Sequence, residues 1–136
     1  MDRREFLTGM VATGLGLGTL GAMSEAEAKG NVLVIYVGAK NCPWCPSFEN
    51  QKWKPFLQSQ LARQVTTREV KTLSFNWSDN AEEWPADLRW VIQAAGVKPG
   101  TPKVVVMRGD KKIFFGKAGG KHWEEKVLPA IQKALG

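Results

Sequence analysis

Val32-Leu33-Val34-Ile35-Tyr36-Val37, followed a few residues on by Asn41-Cys42-Pro43-Trp44-Cys45-Pro46, is the stretch on which the fold turns. The apolar run shows no alternation, so it reads as a central strand covered on both faces, bounded by Gly30 and Gly38. Behind the cysteines, Phe48, Trp53, Phe56, Leu57 and Leu61 recur at helical spacing, with a kink expected near Pro55. The pair therefore falls just past a buried strand, at the expected first turn of a helix. Unsatisfied N–H groups and the positive end of the helix dipole stabilise an anion there, so a thiol ionises more readily. Thiolate is the attacking species in disulfide exchange, and a second thiol three residues on can resolve a mixed disulfide.

Working outward, a second strand is expected within Val65 to Phe75, with its best run at Val70 to Phe75. Asp79-Asn80-Ala81-Glu82 has the spacing of a capping box. Trp84, Leu88, Val91, Ile92 and Ala95 follow at helical period, and Gly96 is a plausible stop. Lys103 to Met107 reads as a third strand, Arg108-Gly109-Asp110-Lys111 as a turn and Ile113-Phe114-Phe115 as a fourth strand. After Gly119-Gly120, the residues Trp123, Val127, Leu128, Ile131 and Leu135 mark the apolar face of a last helix. The order β-α-β-α-β-β-α calls for a parallel pair followed by an antiparallel hairpin. That is an α/β fold with a mixed four-stranded sheet and helices on both faces.

The 136 residues leave room for one domain, and two cysteines are too few for a disulfide scaffold or a four-thiolate zinc site. No uncharged stretch reaches the roughly 20 residues of a membrane-spanning helix. Residues 1–28 read as an export leader. Asp2-Arg3-Arg4-Glu5-Phe6-Leu7 is followed by an uncharged run from Thr8 to Ser24 and by Ala26-Glu27-Ala28, a small-residue cleavage site. The paired arginines and glycine-diluted apolar run resemble the twin-arginine signals of bacteria, which implies a periplasmic destination. As a docked helix, five glycines there would cost roughly 4–5 kcal/mol relative to alanine. Residues 29–136, the expected domain, carry 17 basic and 9 acidic side chains. Such a charge favours acidic partners or anionic headgroups. Nucleic acid is not an expected partner, because the lysines are scattered and Lys111-Lys112 sits in a hairpin turn. No stable membrane insertion is expected once the leader is removed.

Cys42-Pro43-Trp44-Cys45 after a buried strand, with Thr101-Pro102 entering a later one, resembles the thioredoxin superfamily over essentially all of residues 30 to 136. The resemblance implies a thiol–disulfide oxidoreductase whose Cys42 is the exposed nucleophile and whose Cys45 is the more buried resolving thiol. It implies a cis Pro102 that shapes the site and a Thr101 that pairs its backbone with the substrate as an added strand. Pro43 and Trp44 form the active-site loop, with Trp44 on the substrate-facing rim. No metal or organic cofactor is implied, and the partner is a protein or small-molecule thiol or disulfide. Thioredoxins proper carry a buried Asp six residues before the first cysteine, where this chain has Tyr36; Glu49, one helical turn after Cys45, could relay protons in its place or be a solvated helix glutamate.

The direction of electron flow is not written in these residues. The expectation is a dedicated reductant of one periplasmic partner, with a copper carrier using the two thiolates and a disulfide-forming oxidase as alternatives. Trp53, Trp77, Trp84, Trp90 and Trp123 are expected in the core more often than at a contact, with Trp77 the best candidate for a groove wall. His122 reads as a surface residue at a helix start.

Overall fold

A computed structural model of the chain describes residues 31–73 and 81–136. The expected leader over residues 1–28, together with Phe75, Trp77, Asp79 and Asn80, lies outside the described residues. Strand β1 (Val32–Ala39) is buried along its length except at Leu33. Its side chains divide by parity, as a pleated strand requires. Val32, Val34 and Tyr36 enter one core with Val104 and Val106, whereas Ile35 and Val37 enter another with Val70, Val105 and Met107. A strand that feeds two cores has no polar face, which is why the apolar run does not alternate.

From β1 the chain crosses through α1 (Cys45–Phe48), a π turn (Glu49–Trp53), α2 (Lys54–Leu57) and α3 (Gln60–Arg63) to β2 (Thr66–Thr72). The kink expected near Pro55 is this π turn, lying immediately upstream of the proline. The Lys54 N–H reaches back five residues to the Glu49 carbonyl. Proline has no N–H to return and its ring crowds the carbonyl four residues behind, and one widened turn accommodates both. The C-terminal helix repeats the device: a π turn (Trp123–Val127) with Leu128 N–H on the Trp123 carbonyl, then Pro129 near the start of α5 (Leu128–Leu135).

Sheet order is β2-β1-β3-β4. β2 lies parallel to β1 from Leu33↔Thr66 to Ala39↔Thr72, and β3 (Lys103–Arg108) and β4 (Lys111–Lys117) add antiparallel pairs. β2 begins at Thr66 and ends at Thr72, so its centre falls earlier than the Val70–Phe75 run. It is an edge strand, and Thr66, Arg68 and Lys71 are compatible with pairing on one side only. The single helix expected before Gly96 is broken into two 3-10 turns (Ala81–Glu83 and Ala86–Leu88) and α4 (Arg89–Ala95). Pro85 stands between them and cannot donate to a continuing helix. Gly96, at φ 66°, stops α4 as expected. A bulge lies at the Val106/Met107 step of the hairpin, and Ile113 packs with Phe114 on the side of the first core instead of alternating with it.

The first core is aromatic. Trp53, Phe56 and Phe48 all meet Trp123, with ring centroids 5.4–6.4 Å apart and near-perpendicular planes. The second core sets Trp84, Leu88, Val91 and Ala95 against the opposite face of the sheet. Trp90, also expected inside, is 45% exposed, because Val91 and Ala95 occupy the inner face of α4.

Candidate active site at the end of the central strand

Where β1 ends, the Lys40 N–H still bonds the Thr72 carbonyl at 2.9 Å, prolonging the parallel pairing by one residue. The Cys42 N–H then turns back onto the Ala39 carbonyl at 3.3 Å. This fold-back packs Cys42 and Cys45 with Ala39 in a small buried cluster and leaves Pro43 and Trp44 at the tip. The two sulfurs are joined in a disulfide with Cα atoms 5.4 Å apart. Trp44 is 62% exposed.

Two expectations need correction here. Cys42 is 4% exposed against 1% for Cys45, so in the disulfide form both sulfurs are enclosed and the difference between them is small. The helix also starts at Cys45, with Trp44 as its cap, and Cys42 lies three residues ahead of it instead of in the first turn. The cause is local: Cys42 precedes Pro43, and a residue before proline is held out of the helical region.

Thr101-Pro102 is a cis peptide. Lys103 pairs with Val37, so this peptide lies alongside the end of β1, where the chain leaves for the cysteines. The Pro102 carbonyl accepts from the Ala118 N–H at 3.3 Å. Thr101 turns its hydroxyl inward, and Oγ1 is buried without a hydrogen-bond partner among the described residues. Pro43, Trp44, Thr101 and Pro102 line one groove of about 730 Å³ with Phe48, Gly119, Gly120 and the exposed His122. The family resemblance implied one site for these four residues, and all four line this groove. The groove's other walls, including Lys103 and Lys117, were not foreseen. Only the pairing of β3 with β4 puts those two side by side.

Behind the motif, Glu49 is not the solvated helix residue that spacing allows. Its carboxylate accepts from the Tyr36 hydroxyl at 2.7 Å and from Lys71 Nζ at 2.8 Å, with its side chain only 18% exposed. Burial alone would raise its pKa, but the Lys71 and Tyr36 hydrogen bonds outweigh that and hold it below the ordinary 4.5. Burial, then the hydrogen bond to Glu49, pushes the Tyr36 phenol far above its usual value, so it remains a donor. Trp53 Nε1 donates to Glu69 at 2.8 Å, tying the same helix to β2. Among the described residues no group of three or more His, Cys, Asp or Glu side chains is placed to hold a metal ion.

The architecture matches solved structures. A thioredoxin from Malassezia sympodialis superposes with a TM-score of 0.52 at 16% identity, over 85% of this chain and 88% of that one. Spinach chloroplast thioredoxin f gives 0.51 at 13% identity, over 90% and 91%. This is the thioredoxin fold. No protein-family model and no curated protein matches the sequence. In the thioredoxin fold seen here, the central strand delivers the disulfide to one end of the sheet, and the cis Thr101-Pro102 peptide begins the neighbouring strand at that same end.

Proposed function

We propose that this chain is an exported thiol–disulfide oxidoreductase acting through Cys42 and Cys45, a dedicated reductant of a periplasmic partner. The observation that carries the reading is the bridged Cys42–Cys45 pair at the end of β1, beside the cis Thr101-Pro102 peptide and a groove of about 730 Å³. In the dithiol form, the Cys42 thiolate attacks one sulfur of the partner's disulfide. A mixed disulfide forms and the partner's other sulfur leaves as thiolate. Cys45 then attacks Cys42, releases the partner's second thiolate and closes the Cys42–Cys45 bond. Two electrons pass to the partner, and a dithiol donor must restore the starting state.

Trp44 and Pro102 would shape the approach, and Thr101 would present its backbone to the incoming segment. Export is supported by the paired Arg3-Arg4 and the Ala26-Glu27-Ala28 site. Among the described residues no helix is long and apolar enough to cross a membrane.

Cys45→Ser tests the reading by removing the resolving step. The variant should accumulate a mixed disulfide through Cys42 that mass spectrometry can read, and Cys42→Ser should trap nothing. Equal trapping by both variants would overturn the assignment of the nucleophile. Failure of the wild-type dithiol to reduce any protein disulfide would overturn the function.

A further inference from the structure

The groove beside the disulfide carries a charge of one sign. Among the described residues its ionisable wall residues are Lys52, Lys103, Lys117 and His122, and none is a carboxylate. Lys52 is neutralised by Glu124 at 2.6 Å. Lys103 and Lys117 are not: among the described residues neither has an ion-pair partner. They stand directly opposite one another across the β3–β4 hairpin, where like charges destabilise a sheet. Lys103 is further held in place, its ammonium donating to the Pro99 carbonyl at 3.1 Å and resting 5.1 Å from the Phe115 ring centroid. Burial, then the nearby charges of Lys117 and Lys98, lowers its pKa, as expected where positive charge is gathered without a counter-ion.

The shape of the depression indicates the occupant. Gly100, Gly119 and Gly120 contribute no side chain to its wall, so another backbone can approach closely. A second hollow of about 330 Å³ shares Gln51 and Lys52 with it and is lined beyond them by Phe56, Leu128 and Glu124, the carboxylate that pairs with Lys52. A depression that is glycine-walled at one end and neighboured by a second hollow past Lys52 suits a peptide segment better than a compact molecule.

We propose that this groove selects an extended acidic segment of a partner protein, with Lys103 and Lys117 reading carboxylates beside the partner's reacting sulfur. The proposal rests on the assignment of Cys42 and Cys45 as the exchanging pair.

Two synthetic peptides test it. Both have one sequence and carry cysteine as a mixed disulfide with thionitrobenzoate; one has two aspartates beside the cysteine and the other two asparagines. Release of thionitrobenzoate by the full-length dithiol protein is followed by absorbance, each rate normalised to that with free dithiothreitol. The acidic peptide should react about fivefold faster at low ionic strength, and the advantage should shrink in 1 M salt. It should fall to near unity in Lys117→Gln and in Lys103→Gln/Lys117→Gln, and Lys117→Glu should reverse it in favour of the asparagine peptide. Equal rates for the two peptides would overturn the selectivity while leaving the exchange reaction standing. A preference unchanged in the lysine variants would overturn the assignment to Lys103 and Lys117. Calorimetry with cysteine-to-serine versions of both peptides separates the remaining cases. Tighter binding of the acidic version without any exchange would uphold the groove and overturn the proposed function. Neither binding nor exchange would overturn both.

Discussion

At the scale of single residues, Thr101 and Glu49 make opposite uses of burial. The Thr101 hydroxyl is enclosed without a partner among the described residues, and an unsatisfied buried oxygen costs about 1–3 kcal/mol. Thr101→Val keeps the shape and removes the oxygen, so it should raise stability by about 1 kcal/mol in a denaturant titration. If Thr101 docks a partner through its backbone, the exchange rate should stay within about twofold of wild type. A fall in stability would mean that the hydroxyl has a partner. Glu49 is buried with two donors, and its pKa is lowered from 4.5. A carboxyl whose folded pKa lies below its unfolded value contributes stability that is fully present above the unfolded pKa. That stability is lost as pH falls through the folded one. The melting temperature of Glu49→Gln should therefore lie furthest below wild type at neutral pH, with the gap closing towards pH 3. A gap independent of pH would show that Tyr36 and Lys71 do not hold the carboxylate ionised.

At the scale of elements, small residues decide where helices and strands can go. Ser59 separates α2 from α3: its Oγ donates to the Phe56 carbonyl at 2.6 Å and accepts from the Ala62 N–H at 3.3 Å. Ser59→Ala should lower stability by about 1 kcal/mol, read from the denaturation midpoint. In β1, Gly38 leaves room for the Tyr36 ring to fold over the strand, and a Cβ there would stand 2.5 Å from the Tyr36 oxygen. Gly38→Ala should push the phenol off Glu49 and cost about 1–3 kcal/mol. The loss should include the pH-dependent part that Glu49→Gln removes, so the loss in the double variant should be less than the sum of the two single losses. The two π turns belong to this scale as well. Each precedes a proline, and together they turn Trp53 and Trp123 towards the same cluster.

At the scale of the whole molecule, β1 is shared by two cores, and the first is built around Trp123. Trp123 contacts Phe48, Trp53 and Phe56, which come from the crossover, and sits at the start of the last helix. Trp123→Ala should cost about 3–5 kcal/mol, a large part of the 5–15 kcal/mol typical of a domain. The Lys52–Glu124 pair bridges the same two segments at the surface, yet Lys52→Gln should change stability by less than about 1 kcal/mol. Comparing the two variants by thermal melt measures how far apolar packing outweighs surface charge between these helices.

Some of this architecture was legible in the linear order of residues. Val32–Val37 announced a strand covered twice, Gly96 and Gly109 marked a stop and a turn, and Cys42 and Cys45 stood out as an exchange pair, because each signal depends on neighbours in the chain; Thr101 and Pro102 joined them only through the family resemblance. Pro55 announced a kink but not its π form; the centre of β2, the π turn before Pro129 and the bulge did not announce themselves, since edge position and packing around Pro129 and Ile113 set them. The triad of Tyr36, Glu49 and Lys71 and the facing lysines 103 and 117 were hidden for a related reason. Charges and hydroxyls look alike in a sequence whether solvated or enclosed, and only the meeting of β1, β2 and the crossover, or of β3 and β4, determines which they are. Local chemistry named the sulfurs; tertiary contact decided what surrounds them, because burial and charge pairing arise between segments distant along the chain.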